Sequence, residues 1–262
     1  PEKGFLRKIS KEKKYLSFEI PQDTGGRFSA LTASSLVPLA LSGVDISMLM
    51  QGGNSFFTEI NDINNLSEHP CLVYALLRNY LWNKEKSIEL MVVNTPTLMD
   101  FIEWWKQLYA ESEGKDNKGI FPTGALYTKD LHSLGQFIQQ GNPILFETFI
   151  EFENYNLIGK SPIESRLRVP TSDKFYEVTK NYSGFLLDDI NEKINESCKK
   201  AHNKKSIPCI SLKLKQIDEF NLGYLLSFFM TSCSISAMLE DINPYDQPGV
   251  ERYKEEIRNT FN

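Results

Sequence analysis

Histidine is scarce in this chain: His69, His132 and His202 are the only three. The four cysteines, Cys71, Cys198, Cys209 and Cys233, stand far apart and form no CxxC pair. There is no HExxH helix, no calcium-binding loop and no His/Cys spacing of the kind that holds zinc, so no metal is expected. A chain of this size needs no disulfide staples, and its thiols read as reduced, with a cytoplasmic location. GxGxxG and GxxxxGK[ST] are both missing, which removes dinucleotide and Walker-type nucleotide sites, and no serine sits in a GxSxG elbow. No apolar run reaches 18 residues. The best, Gly223–Met230, is too short to span a bilayer, and no signal peptide is present. Nor is there an excess of positive charge: 29 Lys+Arg face 34 Asp+Glu, a net charge of −5. The short basic runs Lys11–Lys14 and Lys199–Lys205 read as solvated surface, so neither nucleic acid nor a membrane is an expected partner.

What is present is ordinary globular material, 41% hydrophobic and 12% aromatic, enough for one large domain or two small ones with a sizeable core. The first residue is proline rather than methionine, which reads as a processed chain or a piece of a longer one. Tyr15–Pro21 alternates like a short strand and ends at proline. Gln22–Gly26 is a turn. Phe28–Leu41 is helical, with Pro38 as a kink or start. A second helix begins near Asp45, Asn61–Ser67 is a loop, and Ser67 caps a helix over Cys71–Asn83. Ser87–Asn94 carries the near-continuous apolar run of a covered strand. Thr95 and Pro96 open a helix to about Tyr109 with Phe101, Trp104, Trp105 and Leu108 as its stripe. Gly119–Leu126 is extended, Leu131–Gln140 helical with Gly141 as its stop, and Ile144–Phe152 a strand. Glu153–Asp173 is a polar excursion, Phe175–Lys200 a helix, Pro208–Leu214 a strand, Leu222–Leu239 an apolar helix, and a final helix starts near Pro248. Helix alternating with strand predicts a three-layer α/β domain with a mostly parallel sheet and a C-terminal helical extension.

Few residues are candidates for chemistry. Two glycines precede Arg27, letting backbone approach a ligand at the mouth of a helix while a guanidinium faces negative charge. Glu111 follows the aromatic stripe at a helix C-terminus, an end whose dipole disfavours a carboxylate. Gln107 lies one turn before it on the same face. Glu113 and Lys115 read as ordinary solvated partners. His132 opens a helix; His69 reads as a surface or capping residue and His202 as part of a Lys/Asn-rich loop. Lys254 falls inside the apolar stripe Val250, Tyr253, Ile257 and Phe261 of the last helix, and Gln247 marks that helix's start.

These same segments resemble the glucose-6-phosphate isomerase family. Asp23-Thr-Gly-Gly-Arg-Phe-Ser-Ala-Leu-Thr-Ala is similar to the family's first signature, and Asn243-Pro-Tyr-Asp-Gln-Pro-Gly-Val-Glu-Arg-Tyr-Lys to its second. Glu103-Trp-Trp-Lys-Gln-Leu-Tyr-Ala-Glu-Ser-Glu-Gly-Lys-Asp and Asp130-Leu-His-Ser-Leu-Gly-Gln resemble its bacterial branch. The resemblance implies interconversion of glucose 6-phosphate and fructose 6-phosphate through a cis-enediol, with neither metal nor organic cofactor. It assigns proton transfer to Glu111, charge stabilisation to Arg27 beside Gly26, and ring opening to His132 and Lys254. Gln107 and Gln247 become substrate contacts, and His132 is contributed by the neighbouring subunit of a homodimer. It also implies a sugar-isomerase (SIS-type) domain over 1–240 and a C-terminal helix over 241–262.

The family's other half, with the Ser/Thr/Lys loop that holds the substrate phosphate, has no counterpart here. The chain is therefore expected to enter the family's sequence near its middle, to be weakly active or inactive alone, and to expose apolar surface where the other half would sit. Two alternatives remain. A non-catalytic sugar-phosphate-binding domain need not keep Glu111, His132 and Lys254 together, and an isomerase of other phosphosugars would be separated by substrate competition.

Overall fold

The computed structural model describes residues 4–62, 68–154, 167–171 and 176–261. In chain order the elements are α1 (Phe5–Lys13), a 3-10 turn at Gly26–Phe28, α2 (Ala33–Leu41), α3 (Ile46–Asp62), α4 (Pro70–Trp82) and β1 (Ile88–Val93). Then come α5 (Met99–Glu113), β2 (Phe121–Leu126), α6 (Leu131–Gln140), β3 (Leu145–Asn154), α7 (Tyr176–Thr179), α8 (Leu187–Asn203), β4 (Cys209–Gln216), α9 (Glu219–Leu239) and α10 (Pro248–Phe261).

The strands form one sheet in the order β2-β1-β3-β4, and every neighbouring pair is parallel. Parallel strands need crossovers, and the crossovers cover both faces, which is why β1 is apolar along nearly its whole length. Alternate residues then serve two cores. Met91 and Val93 of β1 and Ile150 and Phe152 of β3 pack with α3, α4, α5 and α9, around Trp105, Tyr109 and Phe229. Leu90, Val92 and Phe149 point the other way, onto Tyr127, Ile138 of α6 and Ile207. The molecule is thus an αβα arrangement, as expected.

Two close approaches set the first layer. α3 and α9 cross where glycine meets backbone, for a Cβ at Gly223 would fall on the Leu49 carbonyl and one at Gly52 on that of Phe220. α5 runs back along the sheet with Ile102 lying against Gly124 of β2, where a Cβ would collide with it. That descent brings the end of α5 beside the start of β2, and it is what places Glu111. α9 is 21 residues long and apolar enough, by length and composition, to cross a membrane, so the expectation that nothing here reaches that length needs correcting. Its small residues interrupt the apolar run without making a polar face. Leu225, Phe228, Phe229, Cys233 and Ala237 are buried in the domain core.

Other expectations also change. Tyr15–Pro21 forms no strand; its backbone is irregular and Leu16 is 90% exposed, because no sheet edge among the described residues pairs with it. The single helix read over Phe175–Lys200 is two. Gly184 adopts a positive φ of 78°, its N–H donates to the Val169 carbonyl, and α8 restarts from an extended Leu186 with Asp188 and Asp189 in its first turn. Thr95 and Pro96 start a 3-10 turn that leads into α5, and α5 runs on to Glu113 rather than ending near Tyr109. His69 caps α4 by accepting the Cys71 N–H. Ser67, most of the loop Asn61–Ser67 and most of the excursion Glu153–Asp173 lie outside the described residues. All four cysteines are free thiols. Apolar surface is exposed along the outer face of α4, at Val73, Leu76, Leu77 and Tyr80, and along α10 at Tyr253, Ile257 and Phe261.

Candidate active site around Arg27 and Glu111

The turn after Gly25-Gly26 directs Arg27 inward, and its side chain is fully buried. Its Nε donates to Ser112 Oγ at 2.9 Å, and Nη1 to Glu111 Oε2 at 3.1 Å and Gln247 Oε1 at 2.5 Å. Nη2 donates to the carbonyls of Pro244 at 2.6 Å and Asp246 at 3.0 Å. A guanidinium has five N–H donors, and each has an acceptor here. The indole of Trp104 donates to the Arg27 carbonyl at 3.0 Å, so the arginine is fixed at both ends.

One cation therefore joins three distant segments: the Gly-Gly-Arg turn, the last turn of α5, and the loop that enters α10. Lys115 adds a second tie to that loop, pairing with Asp246 at 2.7 Å and donating to the Asn243 carbonyl. The hydrogen bond from Lys115 holds the Asp246 carboxyl below the usual carboxylate range. Tyr245 packs its ring on Phe28 at 5.3 Å.

Glu111 is the reactive-looking member. Its side chain is 28% exposed while the arginine beside it is buried, and its second oxygen accepts from Gln107 Nε2 at 3.1 Å. A carboxylate open to solvent on one side and held by a guanidinium on the other can accept a proton from a bound molecule beside a fixed positive charge. The groove of about 320 Å³ lined by Pro70, Leu212, Leu214, Tyr224 and Phe228 lies elsewhere and does not include it.

The fold brings Arg27, Gly26, Gln107, Glu111 and Gln247 together. His132 is exposed on the first turn of α6, and Lys254 is half-buried about two turns into α10; neither belongs to the set of partners around Arg27. Ser112 was missed, although it stands beside Glu111 and its hydroxyl aligns the guanidinium.

Several polar residues are not the solvated ones expected. Glu113 is buried, accepting from Arg78 Nη1 at 2.5 Å while Arg78 Nε donates to Glu89 at 2.7 Å. Lys115 is only 11% exposed. His69 is fully buried in its capping role. His202 is buried on the last turn of α8, with Nδ1 2.6 Å from Glu147 Oε2. For Glu113, Lys115 and His202 a partner from another element compensates the burial, and local sequence does not display such partners.

A model of the phosphoglucose isomerase family matches residues 9–260. The chain is 41% identical over 255 residues to a glucose-6-phosphate isomerase of Bacillus cytotoxicus and 40% identical over 255 residues to one of Alkaliphilus metalliredigens. Each alignment takes in 97% of this chain and 55% of the relative, so the chain spans about half the length of the curated relatives it matches. Among solved structures, a hypothetical protein of Thermus thermophilus superposes with a TM-score of 0.86 at 26% identity, covering 100% of this chain and 61% of that one. A glucose-6-phosphate isomerase of Chlamydia trachomatis shares the fold, with a TM-score of 0.72 at 21% identity over 93% of this chain and 48% of its own. With its match running over nearly all its residues, the chain belongs to the phosphoglucose isomerase family.

Proposed function

We propose that the protein carrying this chain interconverts glucose 6-phosphate and fructose 6-phosphate, and that Glu111 moves the proton between C1 and C2. The observation that carries this reading is the single Nη1 of Arg27 shared between the Glu111 carboxylate and Gln247. Removing a proton beside a carbonyl leaves an enediolate, and the reaction needs a base on that proton and a cation beside the resulting charge. Glu111 and Arg27 supply both in one contact. Because all five arginine donors are occupied, Arg27 acts first by orienting Glu111 and Gln247. It offers a direct bond to the enediolate only where substrate displaces the Gln247 oxygen. The same proton returns to the neighbouring carbon, so no electrons leave the sugar and no redox cofactor is called for.

Gly26 lets the substrate approach the turn, and Gln107 and Gln247 contact its hydroxyls. Ring opening precedes proton transfer and falls to Lys254 and His132. Exposure of His132 in the first turn of α6 supports its donation to the site of a second copy in a homodimer. We assign 1–240 to a sugar-isomerase-type domain and 241–262 to the C-terminal helix that carries Lys254. The phosphate anchor belongs to the part of the relatives' length that this chain does not span, and the exposed apolar faces of α4 and α10 fit a surface covered by that part. Remote phosphate binding positions the reacting carbons, so this chain alone turns over slowly or not at all.

The test is fructose 6-phosphate conversion to glucose 6-phosphate at neutral pH, run on this chain, on the chain restored to its relatives' length, and on the restored Glu111→Gln variant. The expected result is activity only in the restored protein, with kcat lowered by about 10²–10⁴ in the variant. Robust turnover by the Glu111→Gln protein would overturn the assignment of the base.

A further inference from the structure

The second layer of the fold holds another convergent set of side chains, and it shares no residue with the proposed sugar site. We infer that Glu147, His202 and Cys209 bind one thiophilic divalent cation, zinc foremost, and that the ion clamps α8 to the sheet.

Register puts the first two donors together. Glu147 of β3 lies directly opposite Cys209 of β4, so both side chains leave the same face of the sheet. His202, on the last turn of α8, comes down on that pair. The three donor atoms lie within 4.8 Å of one another, with His202 Nδ1 at 2.6 Å and Cys209 Sγ at 3.5 Å from Glu147 Oε2. Ligands about 2.0–2.3 Å from a tetrahedral zinc stand roughly 3.3–3.8 Å apart. The glutamate–cysteine pair already has that spacing; the imidazole need withdraw from the carboxylate by less than about 1 Å, with its nitrogen already within 4.8 Å of the sulfur. Tyr127 donates its hydroxyl to the other oxygen of Glu147, which orients the carboxylate as an outer-shell partner does in a metal site.

The donor types select the ion. One sulfur, one imidazole nitrogen and one carboxylate oxygen suit zinc and are wrong for magnesium or calcium, which take oxygen. A thiolate and a carboxylate together neutralise the dication inside a low-dielectric layer. Without an ion, burial drives the Cys209 thiol upward, so it keeps its proton. Binding therefore forms an S–Zn bond as the S–H proton leaves to solvent, and His202 presents a proton-free Nδ1 to the ion. Zinc binding releases at least the thiol proton. Cys209 is only partly buried, which provides an entry path.

α8 has a structural use for such a clamp. Of its 17 residues only Asn195 and His202 are fully buried, and Asn195 Oδ1 has no hydrogen-bond partner among the described residues. A helix docked through polar groups gains little from apolar burial, and a metal–imidazole bond would reinforce the tie that Lys199 already makes to Glu151 of β3 at 2.8 Å. The spacing escaped notice in the sequence because Glu147 stands 55 residues before His202.

The experiment uses this chain, zinc titrated against a chromogenic chelator, and cobalt as a spectroscopic substitute. We expect one ion per chain, a thiolate-to-cobalt charge-transfer band, release of at least one proton, and a higher Tm with zinc than with EDTA. Cys209→Ser and His202→Ala should each weaken zinc binding at least about tenfold, and Cys233→Ala, in the other layer of the core, should leave it unchanged. Failure of the wild-type chain to compete with the chelator overturns the inference, as does a charge-transfer band that persists in Cys209→Ser. Should the Cys209 or His202 variant fail to fold, the wild-type cobalt spectrum decides, and absence of the thiolate band overturns the site.

Discussion

Glu111 and His132 stand toward opposite ends of the edge strand β2. β1 delivers the chain to one end of the strands, α5 carries it back with Ile102 over Gly124, and Glu111 arrives where Glu113 meets Gly119 just before β2. β2 then climbs its six residues, about 20 Å, before α6 opens with His132. Packed elements of this kind do not fold over to bring the two side chains together.

If both residues serve one reaction, they come from two chains. In the protein restored to its relatives' length, Glu111→Gln and His132→Ala should each be nearly inactive. Mixed and reassorted, they should recover about a quarter of wild-type activity, because half the dimers are mixed and each mixed dimer keeps one intact site. No recovery, with subunit exchange verified by differently tagged chains, would place both roles in one chain.

Arg27 is predicted to matter to stability before chemistry. Its five hydrogen bonds tie residues 27, 111–112 and 244–247 into one unit. Arg27→Ala leaves buried acceptors without donors and should cost on the order of 3 kcal/mol in urea unfolding of this chain. Arg27→Lys keeps the charge but has no planar fork, so it should recover less than half of that loss. A lysine variant as stable as the wild type would show that charge, not geometry, holds the three segments.

The parts of this site legible in the sequence were those inside continuous motifs. Asp23–Ala33, Glu103–Asp116 and Asn243–Lys254 each display their own glycines, carboxylates or cations, and they yielded Arg27, Gln107, Glu111 and Gln247. The near-continuous apolar runs of β1 and α9 and the helical periodicity of α6 were equally plain. What stayed hidden depends on a distant partner. Nothing local distinguishes Glu113, buried against Arg78, from a solvated helix-end glutamate, nor His202 from a loop histidine. Tyr15–Pro21 has a strand's alternation, yet alternation states only that two faces differ; a strand also needs a neighbour with free backbone groups.

The Arg78 network makes a pH-dependent prediction. Burial, the largest influence, raises the Glu113 carboxyl above its ordinary value despite the arginine beside it. An acid with a raised native pKa holds its proton more tightly when folded, so its contribution to stability is present at low pH. That contribution falls as pH rises from the unfolded value toward the native one. Glu113→Gln mimics the protonated form. It should therefore cost less relative to wild type near about pH 8 than near about pH 5, as read by urea midpoints at both. A cost that grows with pH would mean the ionised form is the better partner for Arg78.

The crossing of α3 and α9 gives the most direct mechanical test. A Cβ on Gly223 would lie 1.9 Å from the Leu49 carbonyl oxygen, and one on Gly52 1.8 Å from that of Phe220. Backbone in a packed helix has nowhere to retreat, so Gly223→Ala must push the helices apart and loosen the core that α9 shares with Trp105 and Tyr109. We expect a loss of at least about 2 kcal/mol. Gly135 in α6 supplies the contrast, since no heavy atom lies within 4 Å of a Cβ there. Gly135→Ala should be neutral or stabilise by about 0.5–1 kcal/mol, because alanine lowers the entropy of the unfolded chain without a clash. The two variants differ by one methyl group each, so propensity alone predicts the same sign for both. Opposite shifts of the urea midpoint would locate the difference in the helix crossing, and equal shifts would mean that α3 and α9 can slide to make room.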